Sequence, residues 1–177
     1  PSTFLFEELW RKSVTNLRSV DVSQNGTYVA FLTKDQIGII NSTGLIIANS
    51  SLAGQPDATW LDATKGMEHI AVTDGTRIQL YSFNGITLQW TAGTALGGKT
   101  AEVRIGENKT YAAAPNGTTM TAINAATGEA LWKYDAGAEQ LACDGDDDLN
   151  YIIGGTQTSP SQYFVLKNLG NSCQVIT

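Results

Sequence analysis

Hydrophobic and polar residues alternate along the chain in short runs, and each run is closed by a turn signal. An alternation with period two predicts strands, and Asn-Gly between such runs is a strong hairpin signal. The stretch 116–134 shows the pattern most clearly, with a turn at Asn116-Gly117, a strand carrying Met120 and Ala122, a turn at Thr127-Gly128 and a strand carrying Leu131 and Trp132. The chain is therefore predicted to consist of hairpins.

The pattern recurs as a repeat of about 41 residues. The first unit contains, in order, a strand with Val20 and Val22, a turn at Asn25-Gly26, strands at Tyr28–Leu32 and Ile37–Ile40, a turn at Thr43-Gly44 and a strand at Leu45–Ala48. The second unit follows at an offset of 41 and the third at 42, and the matching pairs are Ala30/Ala71, Ile37/Ile78, Gly44/Gly85, Ile47/Leu88, Gly75/Gly117, Ile78/Met120 and Trp90/Trp132. Four strands in such a period are typical of propeller blades.

The fourth unit matches less strictly, with Tyr111/Tyr151 at an offset of 40 and Gly128/Gly170 at 42. Its middle hairpin is lengthened by residues 156–162. The sequence thus predicts one all-β domain, 1–177, of four four-stranded antiparallel units at about 18–54, 58–98, 100–137 and 138–177. Residues 1–17 are predicted to add an extra N-terminal strand, because Leu9–Lys12 resembles Leu131–Tyr134.

Composition narrows the classes of function. The chain has 17 Asp and Glu against 11 Lys and Arg, a net charge of −6, and this balance argues against a nucleic-acid partner, which would need a basic face. Its hydrophobic runs are far shorter than the roughly 20 residues of a membrane span. The sequence therefore predicts neither a nucleic-acid partner nor a membrane span.

The run Ala125-Ala126-Thr127-Gly128-Glu129-Ala130-Leu131-Trp132 is similar to the blade motif of quinoprotein-like (PQQ-like) propellers. The segment 22–30 resembles the first hairpin of WD40-like surface propellers. The resemblance implies a β-propeller and, in the quinoprotein case, eight blades, a calcium-bound quinone and adjacent cysteines. Only four repeats are present here, and Cys143 and Cys173 are 30 residues apart. A quinone-dependent dehydrogenase is therefore the least favoured alternative, and no catalytic residue or cofactor-binding residue is predicted.

An acidic run provides candidate calcium ligands. Asp144, Asp146 and Asp148 alternate, as carboxylates do at the start of a calcium loop, but Leu149 and Gly155 stand where an EF-type loop needs Gly and Glu. The competing interpretation is an acidic hairpin turn. His69 is the only histidine, so a histidine-based metal site or a catalytic triad is not predicted.

The two cysteines fall on the first and fourth strands of the last unit. Strands are about 4.8 Å apart, so these strands lie roughly 14 Å apart, farther than the ~7 Å that a disulfide allows between Cα atoms. Cys143 and Cys173 are therefore predicted to be free or bonded to another chain.

Five Asn residues stand in Asn-x-Ser/Thr sequences, which is more than chance gives, and these candidate glycosylation sites favour an exported protein. They are Asn25, Asn41, Asn49, Asn108 and Asn116. Together with the N-terminal aromatic residues Phe4, Phe6 and Trp10, they lead to a hypothesis of function. The chain would be a non-catalytic subunit of a cell-surface layer, sheath or filament that associates with itself through its N-terminal segment. The alternative is a propeller, or part of one, that binds a ligand or a partner at the cell surface.

Overall fold

The structure, a computed structural model, describes residues 8–52, 58–92, 102–108 and 110–176. These residues form sixteen strands and no helix, and so contain no helix that could span a membrane. The strands of the first two units are β1 Leu17–Val22, β2 Tyr28–Thr33, β3 Gln36–Asn41, β4 Ile46–Ser51, β5 Trp60–Ala63, β6 His69–Thr73, β7 Ile78–Ser82 and β8 Thr87–Ala92. Those of the last two are β9 Arg104–Ile105, β10 Tyr111–Asn116, β11 Thr119–Asn124, β12 Ala130–Asp135, β13 Gln140–Gly145, β14 Tyr151–Thr156, β15 Tyr163–Asn168 and β16 Cys173–Ile176.

Each predicted unit is one antiparallel sheet whose four strands pair in chain order. We call these sheets 1 to 4, and in each the first strand is the inner strand and the fourth the outer strand. The inner strands contact one another in the order β1, β5, β9, β13. No contact of comparable extent joins sheet 4 back to sheet 1 within the described ranges, so the sheets form an open series and not a closed four-bladed ring.

Apolar residues of neighbouring sheets form three core clusters, one between each pair of adjacent sheets. Between sheets 1 and 2, Ala30 and Ile39 pack in one cluster with Leu61 and Tyr81. Small residues such as Ala30 occupy the positions where two sheets approach, and larger residues from the next sheet fill the space. Because sheets 2 and 3 each lie between two neighbours, both of their faces are buried.

The turn between the third and fourth strands contains a glycine at the same place in every sheet. Gly44, Gly85, Gly128 and Gly170 all have positive φ, between 75° and 87°, a conformation that residues with a Cβ rarely adopt. At Gly128 a second reason applies, since a Cβ there would lie 2.8 Å from the ring of Trp90 on sheet 2. This Trp90 also donates a hydrogen bond of 2.7 Å from Nε1 to the carbonyl oxygen of Ala125.

The predicted extra N-terminal strand is wrong for its described part. Residues 8–14 are in no strand, while Phe4 and Phe6 lie outside the described residues. The side chain of Trp10 instead lies against the turn of sheet 1, where an added Cβ on Gly44 would be 3.4 Å from its ring. Trp10 thus covers the turn glycine of sheet 1 as Trp90 covers that of sheet 3. Trp10 therefore contributes a side-chain contact, whereas Trp132 lies in strand β12 and donates to Asn168.

Replacing Gly128 by alanine is expected to destabilise the fold more than replacing Gly117, which lies in the same sheet. Both glycines have positive φ, but an added Cβ at Gly117 meets no atom within 4 Å. The backbone conformation costs about 1–2 kcal/mol in either variant, and the contact with Trp90 adds about 1–3 kcal/mol in Gly128→Ala alone. Urea unfolding of the two variants measures this difference, and equal free energies of unfolding would contradict it.

Candidate assembly interface

Aspartate side chains connect the inner strand of one sheet to the backbone of the next. Oδ2 of Asp21 accepts a hydrogen bond of 2.8 Å from the backbone N–H of Ala63. One repeat later, Oδ2 of Asp62 accepts one of 2.8 Å from the N–H of Ile105. An ionised acceptor makes such a bond stronger than a neutral one would be, so each aspartate fixes the register between two adjacent inner strands.

Arg104 occupies the same position in sheet 3. Its guanidinium bonds back to Oδ1 of Asp62 at 2.9 Å and lies 3.6 Å from Oδ1 of Asp144. It also donates to the carbonyl oxygen of Cys143 at 3.2 Å, and the Cys143 N–H donates to Glu102. The contact between sheets 3 and 4 therefore uses an arginine and a glutamate in place of a single aspartate.

Burial dominates the electrostatics of Asp62 and raises its pKa to about 6, although the hydrogen bond from Ile105 and the charge of Arg104 oppose this. Because the folded-state pKa lies above the value of 3.8 for an unperturbed Asp, the folded chain holds a proton that the unfolded chain releases between about pH 4 and pH 6. The free energy of unfolding should therefore fall as the pH rises through that window and then level off.

We expect Asp62→Asn to remove this component of the pH dependence. A shift of roughly two pKa units corresponds to about 3 kcal/mol at most, because one unit is worth about 1.4 kcal/mol. Chemical denaturation at several values between pH 4 and pH 7 measures it, with Glu129→Gln as the control at an exposed carboxylate far from Arg104. A variant that kept the wild-type slope would show that Asp62 does not titrate in this window.

Carboxylates of the acidic turn bind backbone groups and do not converge on one point. Oδ1 of Asp146 accepts from the N–H of Tyr151 at 2.7 Å, and Oδ1 of Asp148 from that of Asn108 at 3.1 Å. Asp147 pairs with Lys65 of sheet 2. The described ranges contain no group of three or more His, Cys, Asp or Glu side chains arranged to hold a metal ion. The structure therefore favours the hairpin-turn interpretation of Asp144, Asp146 and Asp148.

A small cleft of about 140 Å³ lies where these groups meet, and it is lined by Asp62, Arg104, Glu107 and Asp144 among others. Glu107 accepts the N–H of Lys65 with both of its oxygens, and Asp62 is held by Arg104 and Ile105. The polar lining of this cleft thus serves the contacts between sheets 2, 3 and 4.

Both cysteines are free, and they lie on the predicted strands. Cys143 is buried, with Sγ 3.9 Å from the carbonyl oxygen of Ala113, and burial raises the pKa of its thiol. Burial also raises the pKa of Cys173, which is half-buried. A thiol kept protonated inside the core is poorly placed for exchange with another chain, so Cys143 does not suit an interchain disulfide and Cys173 is the more accessible of the two.

Three of the candidate glycosylation sites lie where a sugar could reach solvent. Asn25, Asn49 and Asn108 are exposed and Asn41 is half-buried, while the side chain of Asn116 lies outside the described part. Oδ1 of Asn25 and of Asn108 also accepts the N–H of the residue two positions later, which stabilises the turn.

Sheet 4 exposes positions that the other sheets bury. Ala30, Ala71 and Ala113 are equivalent residues on the second strands of sheets 1 to 3, and all three are fully buried. The equivalent residue of sheet 4 is Ile153, which pairs with Asp144 and is 46% exposed. We call such a set of equivalent positions a column. In this column the residue of sheet 4 is an apolar side chain that none of the other described sheets covers.

A second column on the neighbouring strands shows the same change. Ile37, Ile78 and Met120 are fully buried, while the equivalent Tyr163 is 82% exposed. Tyr151 is exposed too, whereas its equivalent Tyr28 packs on Phe83 of sheet 2 at 5.0 Å between ring centroids. We call Asp144, Tyr151, Ile153 and Tyr163 the sheet 4 face.

Sheet 1 exposes its inner strand on the opposite side. Val20 is 56% exposed, although the equivalent Leu61 and Val103 are buried. Val22 is 58% exposed, whereas Ile105 at the same place in sheet 3 is buried. We call Val20 and Val22 the sheet 1 face. Sequence reasoning missed both faces, although the repeat offsets identify their residues except Tyr163, which follows the lengthened hairpin.

No family model and no curated protein matches this sequence. Solved structures do match. The chain superposes on Kuenenia stuttgartiensis hydrazine synthase with a TM-score of 0.75 at 8% identity, covering 98% of this chain and 53% of that one. It superposes on the Myceliophteria thermophila Cps50 (Swd1) β-propeller domain with a TM-score of 0.75 at 10% identity, covering 94% and 57%. For the WD40 repeats of RRP9 the TM-score is 0.76 at 11% identity, covering 94% and 52%.

The chain thus spans about half the length of the solved structures that it matches. At these identities the likeness concerns the fold and not the activity. The four stacked, four-stranded antiparallel sheets have the fold of a WD40-like β-propeller.

Proposed function

We propose that the chain is a non-catalytic propeller module that binds protein, and that it associates with itself as a structural subunit of a cell-surface layer, sheath or filament. The observation that carries this proposal is the sheet 4 face, where apolar side chains stand exposed at positions that sheets 1 to 3 bury. A contiguous exposed apolar surface of this kind marks an interaction site more often than an isolated exposed residue does.

Energetics favours a protein as the occupant of this face. Covering a large apolar side chain contributes about 1.5–3 kcal/mol, and the face presents two tyrosines and an isoleucine in adjacent columns. Tyrosine is enriched at protein interfaces because its ring is apolar and its hydroxyl remains hydrogen-bonded. A flat sheet surface also suits another sheet better than it suits a small molecule, which would need a concave pocket.

The non-catalytic part of the proposal is supported by what the acidic groups already do. Asp62, Glu107, Asp146 and Asp148 each accept backbone N–H groups from a neighbouring strand or turn. Their charges therefore contribute to holding sheets and hairpins in place. Stoichiometric binding of a quinone with calcium-dependent dye reduction would contradict this part of the proposal.

Export is supported by the candidate glycosylation sites, of which Asn25, Asn49 and Asn108 expose their side chains. We expect glycan on at least one of these three in protein isolated from its native source. Peptide mass spectrometry measures the occupancy of each site, and Asn84, which is exposed but lies outside any Asn-x-Ser/Thr sequence, is the internal control. Unmodified peptides at all five sites would remove this support.

The test of self-association is the mass of the purified chain in solution. Sedimentation velocity over a wide range of concentrations should show species larger than the monomer, and negative-stain microscopy should show whether they are rings or filaments. A chain that stays monomeric throughout would refute self-association. In that case the second candidate function applies, in which the sheet 4 face binds a different protein. This function is compatible with a chain that spans about half of the propellers it matches.

A further inference from the structure

We propose that the sheet 4 face docks the sheet 1 face of a second copy of this chain, and that Oδ2 of Asp144 accepts a hydrogen bond from the backbone N–H of Val22 in that copy. The proposal rests on the self-association proposed above and adds the two surfaces, their polarity and the residue that sets their register. The second copy would continue the series of sheets as if its sheet 1 were the next repeat.

The aspartate column is the first argument. Asp21 and Asp62 both use Oδ2 to hold the N–H of a residue in the next sheet, namely Ala63 and Ile105. Asp144 stands at the equivalent position, its side chain is 75% exposed, and Oδ1 takes the N–H of its own neighbour Gly145. Within the described part of the chain its Oδ2 has no hydrogen-bond partner, so the oxygen that connects successive sheets is available on sheet 4.

The receiving group is present on sheet 1. Val22 is the equivalent of Ala63 and Ile105, the residues whose N–H groups are held by the preceding sheet. In sheet 1 this N–H donates to Oδ1 of its own Asp21 at 2.7 Å, just as the N–H of Gly145 does to Asp144. The two ends of the chain therefore carry the two halves of the contact that recurs between sheets 1 and 2 and between sheets 2 and 3.

The apolar residues on the two faces stand in the same register, with the larger Ile153 at the position of Ala30 and Ala71. Inside the chain, Ala30 of sheet 1 packs in one core cluster with Leu61 of sheet 2, and Ala71 packs with Val103. In the docked pair the corresponding partners are Ile153 and Val20 of the second copy. Both are exposed by about half in the single chain, so the same contact would bury both.

The outer edge indicates which sheet fits. Trp90 covers the turn of the sheet that follows it, and Trp132 bonds to Asn168 of the sheet that follows it. By strand pairing the equivalent residue on β16 is Ile176, so sheet 4 brings no tryptophan to its next neighbour. Sheet 1 needs none, because Trp10 already covers its turn glycine Gly44. In sheet 1 this cover comes from Trp10, which precedes β1, and not from another sheet.

The interface is heterologous, since different surfaces of the two copies meet. Such a contact gives a ring if the rotation from one copy to the next brings the last copy back to the first. It gives an open filament if that rotation does not close the series.

Two variants that each lose one face provide the test. Val20→Lys disrupts the sheet 1 face and Ile153→Lys the sheet 4 face, and both positions are exposed, so each variant should fold. Each variant alone retains no intact pair of faces and should sediment as a monomer. A mixture contains one intact pair, the sheet 4 face of the first variant with the sheet 1 face of the second, and should give a one-to-one heterodimer.

The control is Leu88→Lys, which places the same charge on an exposed position of β8 in sheet 2, outside both faces, and should associate like the wild-type chain. Circular dichroism melting confirms that all of the variants fold. If both single variants associate like the wild type, or if the mixture stays monomeric while the wild type associates, the proposed contact is wrong and self-association uses another surface. A monomeric wild type would overturn the proposed self-association itself, so the two failures are distinguishable.

Asp144→Ala tests the hydrogen bond within this contact. We expect the dissociation constant to rise roughly tenfold or more, because a hydrogen bond to a charged group is lost. Glu129→Ala removes the same charge from an exposed turn and should leave the constant unchanged. Equal constants for the two variants would show that Asp144 does not contribute to the contact.

Discussion

Each sheet of this protein depends on the contact between its inner strand and the inner strand of the next sheet. At that contact an aspartate or an arginine of one sheet binds the backbone of the following one, and small residues beside it allow close approach. The polar bond determines the register and the apolar columns provide most of the stabilisation, because fully burying one large side chain contributes about 1.5–3 kcal/mol. The polar bond and the apolar contacts recur with the same repeat spacing. On the outward faces of sheets 1 and 4, both are therefore missing together within the described residues.

The strands and turns could be predicted from the sequence because they are local. Asn-Gly and Thr-Gly pairs mark turns through the backbone freedom of glycine, and Gly44, Gly85, Gly128 and Gly170 all have positive φ where the offsets placed them. Alternation of hydrophobic and polar residues marks the strands for a similarly local reason, because successive side chains of a strand point to opposite faces of the sheet. The lengthened hairpin of the fourth unit is also found, with β14 ending at Thr156 and β15 beginning at Tyr163.

Contacts between sheets were harder to predict, since they join residues about 40 positions apart. The sequence makes Asp144 a candidate calcium ligand with Asp146 and Asp148 because the three are neighbours in the sequence, with an acidic turn as the competing interpretation. The more informative relation of Asp144 is to Asp62 and Asp21, two and three repeats away. Trp10 was placed in a strand for a similar reason, as the likeness to Trp132 was attributed to the backbone. The structure shows that its side chain covers a glycine turn. Comparing residues across repeats, instead of along the chain, would have found the aspartate column.

The serial arrangement of the sheets also affects how cooperatively the chain unfolds. Within the described residues each apolar core cluster joins two neighbouring sheets, and the ion pair of Lys65 with Asp147 links sheets 2 and 4 at their turns. The stability of the whole therefore approaches a sum of the stability of each sheet and that of each interface between neighbours. Sheets 2 and 3 take part in two interfaces, while sheets 1 and 4 take part in one. Local opening should therefore begin at the ends and reach the middle last, and amide hydrogens on β6, β7, β10 and β11 should exchange most slowly. A partner that covers an end sheet would give it a second interface, so binding there would also change how the chain unfolds.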